Sequence, residues 1–220
     1  MYIIIAGAGA IGTNLIEIAL KDRQNVAVIE RDPHRAEEIS RNYDVLVVQA
    51  DAATAEALKE ARAERADALI ATTRDDATNL MVIFLGKELG VPSLVSVVNN
   101  KQHISLFRQL GANVMENPEE IVAEYLYNAV RRPKIKDLIT LSGGAQVFKA
   151  TITERSPLVG KSLRESGRAG LIPQYTLIVA IERDDRLIIP FGETVIEAGD
   201  LITVFSGERA NDELVKRFTG

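Results

Sequence analysis

The 220-residue sequence predicts an α/β fold, a doubly wound parallel sheet followed by a second, smaller α+β domain. Three observations support this: apolar runs of strand length alternate with helical patterns, a glycine-rich turn follows the first run, and the alternation stops after Pro133. Continuous apolar strands separated by helices are typical of a parallel sheet covered on both faces. We therefore assign residues 1–133 to the first domain and residues 134–220 to the second.

The first domain contains six strand-length apolar runs, each followed by a helical pattern. Asp32-Pro33 suits the start of a helix, and Gly90 and Gly111 suit helix ends. Right-handed crossovers then make a doubly wound sheet the simplest topology. Strands are predicted at Tyr2–Ala6, Val26–Ile29, Val45–Val48, Ala68–Ala71, Leu94–Val98 and Asn113–Met115. Helices are predicted at residues 12–22, 34–42, 54–63, 76–89, 101–110 and 118–131.

The second domain has mostly strand patterns, which is typical of an α+β fold. Strands are predicted at Val147–Ile152, Leu177–Glu182, Leu187–Ile189 and Leu201–Phe205. A short helix is predicted at Lys161–Ser166 and a final helix at Glu208–Phe218.

Composition excludes several classes of function. Residues 1–133 carry 14 basic and 19 acidic side chains and residues 134–220 carry 12 of each, so neither part has the basic excess of a nucleic-acid binder. The absence of cysteine excludes disulfides, thiolate nucleophiles and cysteine metal sites. No apolar run reaches the ~18 residues of a membrane span, and no basic leader precedes the first strand. We expect a cytoplasmic protein that reaches a membrane only through a membrane-protein partner.

Gly7, Gly9 and Gly12 form a Gly-x-Gly-x-x-Gly motif between the first predicted strand and helix. In this context the first glycine permits a tight turn, the second lets a pyrophosphate approach the backbone, and the third lets the helix pack on the strand. Free N–H groups at the helix start favour an anion. The motif predicts a Rossmann-like nucleotide site.

Glu30 ends the second predicted strand, 23 residues after Gly7, close to the usual spacing of about 20 for the acid that binds a ribose hydroxyl. Its carboxylate would repel a 2′-phosphate, although the neighbouring Arg31 could accept one. Asp51 and the pair Thr72-Thr73 follow the third and fourth strands, where they either contact the ligand or cap the next helices.

No catalytic residue is predicted. His34 and His103 are the two histidines, and both are expected at the surface. The sequence has no Tyr-x-x-x-Lys pair, no Gly-x-Ser-x-Gly, no His-Glu-x-x-His and no Walker-type lysine. We therefore predict no enzyme activity and no metal site, with the nucleotide as a regulator or structural ligand. An NAD-dependent oxidoreductase remains an alternative.

Several stretches resemble the RCK (regulator of potassium conductance) family, specifically the Trk/Ktr-type potassium-uptake subunits. The first domain resembles their nucleotide-binding domain in the stretches "IIIAGAGAIG", "VIERD", "VVQADAAT" and "ADALIATTRDDATNLM". Ala50 stands where the family usually has glycine. The second domain resembles their small ligand-sensing domain in "SPLVGKSLRE" and "IPFGETVIEAGDLITVFS".

The resemblance implies a gating subunit that forms homodimers, which assemble into a ring, often an octamer, beneath a membrane potassium transporter or channel. NAD(H), ATP, ADP or AMP would bind the first domain and change the shape of the ring. Cyclic di-AMP or another small ligand would bind the second domain. A regulator of another cation channel or antiporter would have the same sequence features.

The resemblance also implies the site residues. The family's arginine after the fifth strand is replaced here by the stretch Val98–Lys101, which favours a dinucleotide or diphosphate. Glu116 matches a carboxylate that approaches a terminal phosphate across the dimer, and could otherwise cap the next helix. The positions that match are Gly7, Gly9, Ala10, Ile11, Gly12, Glu30, Arg31, Asp51, Ala52, Thr72, Thr73, Arg74 and Glu116.

The predicted helix 118–131 carries an apolar stripe suited to packing on a partner or on its own domain. The nucleotide is predicted to act on this helix and on a hinge at Arg132-Pro133. The stripe consists of Ile121, Val122, Tyr125, Leu126 and Val130.

Overall fold

A computed structural model describes residues 1–131, 133–141, 143–208 and 212–220, apart from the side chain of Asp212. The described chain forms two compact units, Met1–Glu120 and Ile121–Gly220. The domain boundary at residues 133/134 stays a prediction, and Arg132 of the predicted hinge lies outside the described residues. In the described residues, no helix is both long enough and apolar enough to cross a bilayer.

The first unit is built on a six-stranded, entirely parallel sheet in the order β3-β2-β1-β4-β5-β6. This order confirms the doubly wound fold. The strands are β1 (Tyr2–Ala6), β2 (Asn25–Glu30), β3 (Leu46–Gln49), β4 (Ala68–Ala71), β5 (Ser93–Val98) and β6 (Asn113–Glu116). The helices are α1 (Ala10–Lys21), α2 (Pro33–Asn42), α3 (Ala55–Glu60), α4 (Asp76–Glu88), α5 (Ile104–Gln109) and α6 (Pro118–Arg131), the last of which continues into the second unit.

Both faces of this sheet are buried, because successive side chains of a strand point to opposite faces. Ile4 and Ile29 belong to the core cluster that includes residues of α3, α4 and α5. Ile5 and Val28 belong to a separate cluster with residues of α1 and α2. The continuous apolar runs in the sequence follow from this burial on both faces.

Side-chain N-caps fix where three helices of the first unit begin. The side chains of Asp32, Thr54 and Asp75 accept hydrogen bonds from backbone N–H groups in the first turns of α2, α3 and α4. The predicted helix 54–63 is shorter in the structure, since α3 ends at Glu60 and Arg62 adopts a left-handed conformation with φ of 58°. A short 3₁₀ turn follows at Ala63–Arg65.

The second unit contains a five-stranded antiparallel sheet in the order β10-β9-β11-β8-β7. Phe148, Ile181, Ile202 and Phe218 are fully buried in its core. The strands are β7 (Ile135–Thr140), β8 (Gln146–Thr151), β9 (Thr176–Arg183), β10 (Arg186–Ile188) and β11 (Leu201–Ser206), and the helices are α7 (Leu163–Arg168) and α8 (Asp212–Thr219).

Two details of the second unit differ from the sequence prediction. Strand β7 was not predicted, and it is an edge strand with a register shift and mostly exposed side chains. Helix α7 begins two residues later than predicted, because Ser162 and Glu165 form a reciprocal capping box that fixes its first turn. Residues 209–211 of the predicted final helix lie outside the described residues.

Candidate functional site

A crevice of about 450 Å³ opens at the carboxyl edge of the parallel sheet. The loops after β1, β2, β3 and β4 line it, around the point where the strand order reverses between β1 and β4. Open α/β sheets bind their ligands at this point. The lining consists of Gly7, Gly9, Ile29, Glu30, Arg31, Arg35, Ala50, Asp51, Ala52, Thr72, Thr73, Arg74, Asp75 and Thr78.

The glycine loop has the geometry that its motif predicts. Gly7 has φ of 99°, a left-handed conformation that glycine adopts without strain. A Cβ on Gly12 would lie 2.0 Å from the Gly7 carbonyl oxygen, so only glycine fits where α1 approaches the loop. A Cβ on Gly9 would meet only Nη1 of Arg35, at 3.9 Å. The backbone at Gly9 is therefore open to the crevice.

Glu30 lies at the end of β2 and holds the two neighbouring loops together. Its Oε2 accepts a hydrogen bond from the backbone N–H of Ala8 at 2.7 Å, and its Oε1 accepts one from Asp32 at 2.9 Å. The carboxylate is thereby fixed beside the glycine loop, at the position of the ribose-binding acid in this fold.

The loop after β4 is anchored by hydrogen bonds to the neighbouring strands. The Thr72 hydroxyl donates to the Gly7 carbonyl at 2.9 Å, which joins this loop to the glycine loop. The amide oxygen of Asn79 accepts from the backbone N–H and the hydroxyl of Thr73, and its amide nitrogen donates to the Val97 carbonyl. Asn79 is fully buried on α4 and was missed by the sequence analysis.

Asp76 connects this region to the loop after β5. Its carboxylate accepts hydrogen bonds from the backbone N–H groups of Asn99 and Asn100 and lies 2.8 Å from Nδ1 of His103. Burial works against ionisation of Asp76, but these hydrogen bonds outweigh it and lower the pKa of the carboxyl group below its usual value. Asn99 also donates to the Arg74 carbonyl, so the cluster positions a loop that lines the crevice.

We predict that Asp76→Asn lowers the free energy of unfolding by about 1–3 kcal/mol at pH 7, because an amide NH₂ would face the N–H donors of this loop. The folded-state pKa of Asp76 is below the unfolded value of about 3.9, so its stabilisation is present above that value and is lost as pH falls through the folded-state pKa. Urea denaturation from pH 7 to pH 3 should show the two proteins converging in acid.

Asp22→Asn provides the control, since this exposed carboxylate at the end of α1 makes no side-chain hydrogen bond among the described residues. A gap between wild type and Asp76→Asn that is unchanged at pH 3 would contradict the assigned role.

Three arginines give the crevice its capacity for an anion. The side chains of Arg31, Arg35 and Arg74 have no hydrogen-bond or ion-pair partner among the described residues. The three lining carboxylates, in contrast, accept backbone N–H groups: Glu30 as described, Asp51 from Ala53 and Asp75 from Thr78. The hydrogen bonds from Thr78 also lower the pKa of Asp75.

Arg35 was not predicted from the sequence. It lies in the first turn of α2, three residues after the N-cap Asp32. A cation at this position of a helix that starts beside a ribose-binding acid is the signal that could have identified it.

The structure brings together nine of the thirteen predicted site residues, and the assignment of all thirteen to a nucleotide stays a prediction. The nine that line the crevice are Gly7, Gly9, Glu30, Arg31, Asp51, Ala52, Thr72, Thr73 and Arg74. Ala10 lines a small neighbouring cavity, and Ile11 is partly exposed on α1. Gly12 lies under the glycine loop, and Glu116 pairs with Arg108 at 2.6 Å, outside the crevice lining.

The alternative cap assignments are wrong. Thr54, not Asp51, caps α3, and Asp75, not Thr73, caps α4. At the start of α6 the side chain that accepts from the backbone N–H of Glu120 is Asn117 rather than Glu116.

The described residues that line the crevice include no histidine, lysine or tyrosine. His103 bonds to Asp76, and His34 is exposed in α2. The lining therefore offers hydrogen-bond donors and fixed charges, and its three carboxylates already accept backbone N–H groups.

Comparisons with known proteins agree with the two-part organisation. The TrkA-N domain family model matches residues 3–118, and the TrkA-C domain model matches residues 147–219. A "Trk system potassium uptake protein TrkA homolog" from Methanothermobacter thermautotrophicus is 32% identical over 221 residues, covering 100% of both chains.

Two solved structures support the fold. A "GsuK channel bound to NAD" has a TM-score of 0.64 at 22% identity, covering 93% of this chain and 37% of that one. A "GsuK bound to ADP" has a TM-score of 0.52 at 21% identity, covering 60% of this chain and 35% of that one. The chain thus spans about a third of GsuK, and this likeness shows the fold alone. Given the two family models and a relative matched along its entire length, the chain belongs to the TrkA family.

Proposed function

We propose that the chain is the nucleotide-binding regulatory subunit of a potassium transport system, acting at the cytoplasmic face of the membrane through a transporter or channel partner. The observation that carries the proposal is the crevice, which combines a glycine loop, a ribose-side carboxylate and three arginines without a partner among the described residues. The relative from Methanothermobacter is named for potassium uptake, and the two GsuK structures are named for NAD and ADP.

In the proposed complex, NAD(H) or an adenine nucleotide lies along the carboxyl edge of the sheet. Backbone N–H groups at Gly9 and the start of α1 hold the diphosphate, because a helix start is a favourable site for an anion. Glu30 accepts the hydrogen bonds of the ribose hydroxyls, and Asp51 and Ala52 border the adenosine. Arg35, beside Gly9, supplies a cation to the phosphates.

We predict that Arg35→Gln weakens the binding of ADP and NAD(H) by about 10–100-fold, since a charge-assisted hydrogen bond is lost. Isothermal titration calorimetry measures this directly, and mass spectrometry of the ligand retained on purification identifies the nucleotide to titrate. Arg41→Gln is the matched control, because Arg41 lies on the same helix, is exposed and pairs with Glu37. Equal affinity in the two variants would contradict the role of Arg35.

The binding site itself is tested by wild-type titration. Failure of the wild-type crevice to bind any adenine nucleotide at millimolar concentration would contradict the proposed function, as would turnover of a metabolite with NAD by the purified chain.

Oligomerisation is proposed from exposed apolar surface. The stripe on α6 is exposed, with Val122 at 57% and Leu126 at 59% of their maximal accessible area. Exposed apolar patches of this kind mark interaction sites. We propose that two chains form a homodimer by packing this stripe against its copy. Dimers then join into a ring, often of eight chains, through the exposed Met81, Phe84 and Leu106 on α4 and α5.

Nucleotide binding regulates such a ring only through a difference in affinity between two shapes. We propose that the nucleotide changes the position of α6 and thereby the angle within the dimer. Small-angle scattering of the apo, ADP and ATP forms should give different curves, and identical dimer angles in all three would contradict the gating mechanism.

The second unit is proposed to bind a regulatory small ligand, for which the resemblance implies cyclic di-AMP as one candidate.

A further inference from the structure

A second groove lies at the opposite edge of the parallel sheet from the nucleotide crevice. Tyr2, Asn25 and Leu46, the first residues of β1, β2 and β3, line it. Its volume of about 630 Å³ is within the range of small-molecule sites. The groove is therefore large enough for a ligand and is separated from the crevice by the length of the strands.

Arg23, Arg62 and Arg65 are among the residues that line this groove. None of the three has a side-chain hydrogen bond or ion pair among the described residues. Asp44 is the one carboxylate among the described lining residues, so the lining carries a net positive charge. The unit Met1–Glu120 is acidic as a whole, with 12 basic and 18 acidic side chains, so the cluster does not reflect a generally basic surface.

The arginines of this unit are concentrated at two places, the crevice and the groove. The unit has eight arginines, of which Arg41 and Arg108 form ion pairs with glutamates. The remaining six divide equally: three line the crevice and three line the groove. The groove thus has the same number of available guanidinium groups as the site proposed for a nucleotide.

The chemistry of these groups selects the ligand. Guanidinium forks match the oxygens of a phosphate group and bind them bidentately. Leu20, Val26 and Val45 supply an apolar wall for the remainder of a small molecule. We propose that Arg23, Arg62 and Arg65 form a second anion site, which binds the phosphate group of a ligand independently of the crevice.

Two triple variants with the same change of charge test this proposal on the full chain. R23Q/R62Q/R65Q removes the groove cations, and R31Q/R35Q/R74Q removes the crevice cations. The probe is inorganic pyrophosphate. Its binding is measured by calorimetry and by changes in the Nε–Hε NMR signals of the arginines. We expect two binding events in wild type, and each triple variant should weaken one of them at least about tenfold while retaining the other.

A parallel arm identifies the source of the phosphate. Co-sedimentation with phosphatidylglycerol vesicles that is lost only in the groove variant would assign the site to a lipid headgroup, whereas pyrophosphate binding without vesicle binding would assign it to a free phosphorylated molecule. Circular dichroism checks that both variants are folded. A single pyrophosphate event in wild type, abolished by the crevice variant, together with no vesicle binding, would overturn the proposal.

Discussion

Gly12→Ala is expected to lower the free energy of unfolding of the first unit by about 3 kcal/mol and to weaken nucleotide binding at least about tenfold. The added Cβ would lie 2.0 Å from the Gly7 carbonyl oxygen and 3.2 Å from the Thr72 hydroxyl. Backbone cannot rotate away as a flexible side chain can, so α1 must move from β1. That movement would displace the N–H groups proposed to hold the diphosphate. Hydrogen exchange of β1 amides reports stability, and calorimetry reports affinity.

Gly9→Ala is the matched control within the same motif. Its Cβ would meet no protein atom closer than 3.9 Å, and Gly9 already has an extended backbone that alanine can adopt. We expect a stability loss of about 0.5 kcal/mol, from the poorer helix cap, but the same loss of nucleotide affinity, because the methyl group would fill the position of the diphosphate. Equal stability losses in the two variants would contradict the separate roles of these glycines.

The first unit could be predicted almost completely, because its information is local. An apolar run such as Tyr2–Ala6 is continuous because both faces of the sheet are covered, and right-handed crossovers make a doubly wound sheet the simplest topology. The place of Glu30 beside the glycine loop could be predicted for the same reason, because it follows from a strand end and a fixed spacing from that loop.

The sequence did not predict features that depend on tertiary contacts, nor a strand whose side chains are mostly exposed. Strand β7 exposes most of its side chains and lies at a sheet edge, so hydrophobic alternation does not reveal it. The contact of Asp76 with His103 joins residues 27 positions apart, and Asn79 contacts Val97 across 18 positions. Neither pair has a fixed spacing that a sequence pattern could recognise.

The second large effect is expected for Leu126→Asp on α6. If the stripe forms the proposed homodimer, a two-fold interface buries the new carboxylate twice, and an unpaired buried charge is costly. We expect the dissociation constant of the dimer to rise at least about 100-fold. The mass measured by light scattering should then fall toward that of one 24.1 kDa chain. The monomer should remain folded, because Leu126 is 59% exposed and exposed substitutions usually change stability by less than about 0.5 kcal/mol.

Tyr127→Asp is the control that distinguishes loss of the stripe contact from a general effect of added charge on α6. Tyr127 is the next residue of α6, is 63% exposed and lies about 100° around the helix from Leu126, outside the stripe. Both variants add one negative charge to the same helix, so only the direction of the side chain differs. Dissociation by Leu126→Asp alone would support dimerisation through the stripe. Dissociation by both would indicate charge repulsion rather than a specific interface, and dissociation by neither would place the dimer contact elsewhere.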